Sequence, residues 1–502
     1  MEELSILSEA LKYLKPEIAV SIILLVVVLF DLIFHHNKKI LPYISLIGII
    51  ITGFFVIDQF DLSGFAFPVA GQNYGMVTAD AFGAFFKLIV LISSAFIIFF
   101  SYSSDEIKKS FDRHGEYYTL IFGMILGMFL MISATDLILI YLSIELLSLS
   151  SYVLSGFTKL RDRNSEASLK YLLYGAVSSG LMLFGISIVY GLTGATNLTA
   201  ISNAIAAADI NLVTFSFAII LIFAGFGYKI STAPFHFWTP DVYEGAPITI
   251  TAYLSVASKA AGFALLVRFV ATVFVSSVDM EGYWQMIEVF DWQTLLILIS
   301  ILTMTLGNFS ALWQNNLKRM LAYSSIAHAG YLILGLAVLS NQGVIAIMVY
   351  FFFYMLMNLG AFYIVMMIAN KTGSESIDDY TGLGYTSPFY GVALTIFLIS
   401  LTGLPPTAGF IGKLYLFIAL VDAKLITVAV IALLNTVVSL YYYVRVLKHL
   451  YLSKPETQPQ EVIPDVPNLV VILLLLIPTL VFGVYFTPVV NLAKNCVAIL
   501  GL

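Results

Sequence analysis

Runs of mostly apolar residues long enough to cross a bilayer recur along this chain, from "IAVSIILLVVVLFDLIF" near its start to "LVVILLLLIPTLVFGVYF" near its end. About 20 such residues span the hydrocarbon as a helix, and backbone groups in lipid must bond within their own segment. The chain is therefore expected to be an all-α polytopic membrane protein. Composition agrees: 60% of residues are hydrophobic and 11% charged. Fourteen spans fit the sequence between residues 17 and 490, among them 134–157, 212–240, 247–275 and 388–422. The acidic and basic start "MEELSILSEALKYLKPE" runs into a full-length span without a small-residue cleavage site, so a retained helix is expected rather than a secretory signal.

Charge in the connections tests that count, because lysine and arginine gather on the cytoplasmic side. With both termini outside, the inner connections hold 15 Lys and Arg and the outer segments 4. Five of the 24 remain inside spans: Lys87, Lys229, Lys259, Arg268 and Lys413. A cation at a helix centre costs at least ~2.5–3.5 kcal/mol, so each needs a reason. Lys87 and Arg268 lie near span ends, where long side chains are expected to snorkel to the surface. Lys259 lies mid-span, with Ser255, Thr251 and Gly262 along its face, and is expected to work in a hydrated seam.

One carboxylate falls near a span centre, Glu145 in "LILIYLSIELLSLSSYVLSGF". Ser148, Tyr152 and Ser155 extend a polar face from it, and a lone intramembrane acid points to a proton relay or a charge switch. The remaining two lysines share a pattern. In "GFGYKISTAPFHFWTPDVYEGAP" a span is broken by Gly and Pro beside Lys229, and in "LISLTGLPPTAGFIGKLYLF" another is broken before Lys413. The two stretches lie an odd number of spans apart, which implies two halves of opposite direction, each with one broken helix. Broken backbone at depth must line protein or water, so the breaks should create polar surroundings for the lysines. For charges ~8 Å apart at an effective dielectric near 20, the pair energy is roughly 2 kcal/mol, enough for a displaced partner to decide whether a lysine holds its proton. Glu145, Lys229, Lys259 and Lys413, bridged by His328 of "KRMLAYSSIAHAGYLIL", are the expected proton-transfer groups.

Other chemistry lacks support. The single cysteine, Cys496, cannot form an internal disulfide or a multi-thiolate metal centre, and there is no GxGxxG, GxxxxGK[ST] or HExxH. No nucleic-acid contact is expected.

The segments "FHFWTPDVYEGAP", "SLSSYVLSGF", "LKRMLAYSSIAHAGY" and "GLPPTAGFIGKLYLF" resemble the antiporter-like membrane subunits of proton-pumping NADH:quinone oxidoreductase, respiratory complex I, in their subunit N type. The resemblance covers almost the whole chain. It implies fourteen helices with helices 7 and 12 broken, arranged as an N-terminal three-helix segment (1–110), two inverted five-helix repeats (111–280 and 281–452) and a last helix (453–502). It also implies that Glu145, Lys229, Lys259 and Lys413 occupy the family's proton-carrying positions. Lysine at 413 departs from the glutamate usual in subunit M, and the long C-terminal lateral helix of subunit L is not expected. The resemblance implies further that the chain binds no cofactor itself, with NADH, flavin, iron–sulfur clusters and quinone held by partner subunits. The implied partners are subunit M, the small membrane subunits and lipid, in a bacterial inner membrane. A subunit of a multisubunit cation/proton antiporter is the alternative.

Overall fold

The computed structural model describes residues 10–34, 38–68, 72, 74–110, 113–158, 162–207, 210–454 and 461–499. Lys159 and Arg161, two of the cations assigned above to inner connections, lie outside the described residues. The described chain is helical apart from two small antiparallel hairpins, Gly64–Pro68 with Gly75–Ala79 and Val275–Val278 with Trp284–Met286. Among the described residues thirteen helices are long and apolar enough to cross a membrane. The expected span 388–422 is instead two shorter helices, Pro388–Thr402 and Ala408–Asp422. The expected span 212–240 stops at Ile230 and resumes as Trp238–Gly245.

Burial divides the helices into an axis and a sheath. In Ile248–Phe274 the most apolar stretch is wholly buried, and in Leu317–Ala337 and Asn341–Thr372 it is 94% and 89% buried, whereas Val466–Val484 and Lys15–Ile33 reach 22% and 33%. Sheath helices turn residues such as Leu25, Phe54 and Val213 outward, as a chain solvated by lipid can. Without a hydrophobic drive between helices in lipid, close approach depends on small residues. A side chain at Gly307 would come within 2.6 Å of the Ala327 nitrogen, and one at Gly127 within 2.7 Å of the Leu147 nitrogen.

The snorkelling expectation for Lys87 and Arg268 is overturned. The Lys87 ammonium is buried, 2.6 Å from Glu17 and 3.0 Å from the Gln59 side-chain oxygen. The Arg268 guanidinium is buried and grips Asp80 with two bonds of 2.7 and 2.9 Å, and donates a third to the Ile132 carbonyl. Asp80 also caps helix Ala81–Ser103 by accepting from the Gly83 amide. Burying a cation unpaired is costly, and a carboxylate within reach offsets enough of that cost to keep the side chain inside. Both cations are clamps between helices.

The loop charges make orientation measurable. Met280, in the hairpin between two crossings, and Trp313, in the next connection, are both highly exposed. Met280→Cys is expected to react with an impermeant thiol reagent added outside intact cells, and Trp313→Cys only after permeabilisation. The opposite pattern would invert the topology.

Candidate functional site

The remaining buried cations occupy the axis, each held by a different device. Helix Leu212–Ile230 ends at Ser231, whose backbone is left-handed (φ 63°) although it is not glycine. Lys229 thus sits in the last turn, where the unsatisfied carbonyls of a helix end favour a cation. Its ammonium is buried and donates to the Ser148 hydroxyl at 3.1 Å. Ser148 lies one turn beyond Glu145 on helix Leu137–Ser155. Glu145 is half-buried and accepts from the Ser179 hydroxyl of helix Asp162–Thr193. Glu145 and Lys229 therefore bond to different hydroxyls and form no contact ion pair among the described residues.

Lys259 comes just after a π-helical turn, Leu254–Ser258, within the otherwise α-helical segment Ile248–Phe274. Such turns add a residue to the helical repeat and rotate the helix beyond them. Here the turn is tied down by Asn358, which donates to the Ser255 hydroxyl at 2.7 Å. The Lys259 ammonium donates to the carbonyl and the hydroxyl of Ser325, both at 2.9 Å, and lies 6.0 Å from the centre of the Tyr243 ring. Gly262, one turn on, brings this helix against the stem of Lys229: a side chain there would stand 2.6 Å from Ile230 and 3.8 Å from Lys229 Cγ.

Ser325, His328 and Tyr331 recur every three residues on helix Leu317–Ala337, so they share one face. His328 Nδ1 lies 2.7 Å from the Tyr350 hydroxyl. The Lys413 ammonium sits 4.8 Å from the centre of the Tyr331 ring and donates at 2.7 Å to the carbonyl of Thr402, the last residue of helix Pro388–Thr402. Gly403 comes next at φ +87°, a conformation glycine adopts without strain. A side chain at Gly403 would also stand 2.7 Å from Lys413 Cδ, so it would displace the lysine stem as well as strain the backbone.

The axis thus runs Glu145, Ser148, Lys229, Lys259, Ser325, His328, Tyr331, Lys413. Every member beyond Glu145 is buried. The hydroxyl groups of Ser325, Tyr331, Tyr350 and Ser179 were not singled out from sequence. The signal for Ser325 and Tyr331 was their three-residue spacing from His328, and Ser179 carries none. Among the described residues no group of three or more His, Cys, Asp or Glu side chains could hold a metal ion. Chemically, the axis offers ammonium and imidazole groups spaced by hydroxyls, which can hold, donate and accept protons.

Residues 134–439 match the transmembrane family of NADH:quinone oxidoreductases and Mrp antiporters. The chain is 46% identical over 492 residues to NADH-quinone oxidoreductase subunit N 2 of Chloroherpeton thalassium, covering 97% of this chain and 94% of the relative. It is 44% identical over 494 residues to NADH-quinone oxidoreductase subunit N of Chlorobium chlorochromatii, with the same coverage. Among solved structures, a chain of respiratory complex I from Thermus thermophilus with bound aureothin superposes with a TM-score of 0.76 at 28% identity, covering 95% of this chain and 99% of that one.

Proposed function

The chain belongs to the transmembrane family of NADH:quinone oxidoreductases and Mrp antiporters, and from that premise we infer that it is a proton-translocating membrane subunit, of the subunit N type, of an NADH:quinone oxidoreductase. One observation carries the reading. Three lysines and a histidine are buried, each with hydroxyl, carbonyl or ring partners, and in the described structure none of the three lysines forms an ion pair with a carboxylate. Charges without a carboxylate partner are expensive at depth. Groups kept for stability alone would be clamped as Lys87 and Arg268 are, whereas groups that exchange protons need partners that tolerate both protonation states.

In this reading Glu145 governs the charge on Lys229 through the field it exerts across Ser148, Lys259 and His328 carry protons through the centre, and Lys413 delivers them to the outer side. The helix breaks beside Lys229 and before Lys413 support two inverted repeats over residues 111–280 and 281–452. Redox energy would arrive from partner subunits, including subunit M and the small membrane subunits, which would hold the NADH, flavin, iron–sulfur and quinone sites. The bacterial inner membrane, with both termini outside, fits the loop charges.

The test is at Lys413. Lys413→Ala is expected to lower NADH-driven proton uptake severalfold in vesicles at equal assembled complex. Lys413→Arg, whose charge cannot be discharged at physiological pH, is expected to fall likewise. Full pumping by the alanine variant would take Lys413 off the path.

A further inference from the structure

The short helix Trp238–Gly245 has no part in the row of proton carriers, yet it touches the surroundings of two of them. At its start, the Trp238 ring nitrogen donates to the carbonyl of Tyr228, the residue before Lys229, while its ring stacks on Tyr171 at 4.4 Å. Further along, Tyr243 is fully buried with its ring facing the Lys259 ammonium, and its carbonyl accepts from Thr251 on the helix that carries Lys259.

The opposite side of the same helix faces a polar cleft of about 190 Å³ and is gripped by ion pairs. Asp241 is bound by Lys170 at 2.6 Å and Arg319 at 2.8 Å. Glu244 is bound by Arg319 at 2.6 Å and Arg163 at 3.4 Å. Lys170 is shared with Glu166 at 2.7 Å. Lys318, itself paired with Glu375, donates to the carbonyls of Glu244 and Ala246. Four ion pairs tie this two-turn helix to helices Asp162–Thr193 and Leu317–Ala337. No side chain caps its start, and helices this short are marginal alone. The network therefore fixes where the helix sits.

Lys259 is the reason its placement matters. Its ammonium is held by Ser325 and by the Tyr243 ring, with no carboxylate among its described ion pairs. An aromatic face favours a cation electrostatically, most strongly where water is excluded. We propose that Tyr243 is a positioning residue for the Lys259 ammonium, and that the ion pairs at Asp241 and Glu244 hold its ring in place by anchoring the short helix between the cleft and the axis. The proposal rests on the role given above to Lys259. It extends the working site to the charged cleft beside the short helix.

Two measurements on the full reconstituted complex, normalised to assembled complex, decide it. Tyr243→Phe keeps the ring and is expected to retain most NADH-driven proton uptake, whereas Tyr243→Leu is expected to lose it severalfold. Equal uptake by the two variants would overturn the positioning role. Amide exchange over residues 238–253 reports the anchor. Asp241→Asn combined with Glu244→Gln is expected to speed that exchange by about tenfold or more, and raised salt, which screens partly exposed pairs, to speed it in the wild type but not in the double variant. Unchanged exchange in the double variant, or faster exchange with wild-type uptake, would overturn the proposal. A Lys259→Ala complex that pumps normally would instead refute the role given above to Lys259, and the exchange result would still decide whether the network anchors the helix.

Discussion

A complex carrying Glu145→Gln together with Lys229→Met is expected to assemble and yet translocate protons at less than about a tenth of the wild-type rate. The geometry makes the experiment clean. Glu145 accepts from Ser179 and Lys229 donates to Ser148, so neither side chain holds the other in place by direct contact. A glutamine at 145 still offers Ser179 an oxygen, and only the charge is lost. A buried structural pair can often be replaced by neutral residues without loss, so a pair serving stability alone would pump normally in the double variant. Glu145→Asp keeps the charge on a shorter arm and is expected to damage uptake less than Glu145→Gln. NADH-driven proton uptake in vesicles, normalised to assembled complex, is the measurement, and wild-type uptake by the double variant would end the switch hypothesis.

Arg268→Ala is expected to act in the opposite way, on stability before activity. It strips two bonds from the Asp80 carboxylate and one from the Ile132 carbonyl, all buried. Breaking one side of a buried pair costs about 3–5 kcal/mol, a large share of the 5–15 kcal/mol that holds typical domains folded. The amount of assembled complex, and its thermal midpoint where enough assembles, should fall steeply. Arg268→Met with Asp80→Asn removes both charges and is expected to recover much of the loss. Recovery no better than the single variant would show that Arg268 does more than clamp.

The contrast between these two pairs shows what the sequence could tell. The depth of Lys229, Lys259, Lys413 and Glu145 was readable because a charge inside an apolar run is visible by itself. The breaks were readable from "STAPF" and "GLPPTAG", where glycine and proline interrupt a helix locally. Pairing was not readable. Glu17 lies 70 residues from Lys87, and Asp80 188 from Arg268, so the acids that keep those cations inside are brought close only by the packed bundle. The π-turn before Lys259 gave no sign either, since it is held by Asn358 from another helix. Nor did the sequence show that Glu145 stands half-exposed, because the polar face that it begins is buried at Ser148, Tyr152 and Ser155 and only partly covered at Glu145 itself.

Helix 317–337 carries Ser325, His328 and Tyr331 at steps of three residues, and a straight helix rises about 1.5 Å per residue, so the stations stand roughly 4.5 Å apart along its axis. That helix is a ruler. Hydrogen bonds reach about 3 Å, so the backbone alone does not bring the central stations together while the helix stays intact, and in the proposed path a proton would cross each interval by a side-chain swing or a bridging water. The backbone in the middle of the row therefore keeps a fixed interval. In the proposed path the order of events would be set instead beside the terminal lysines, where the backbone turns at Ser231 next to Lys229 and at Gly403 next to the carbonyl that holds Lys413.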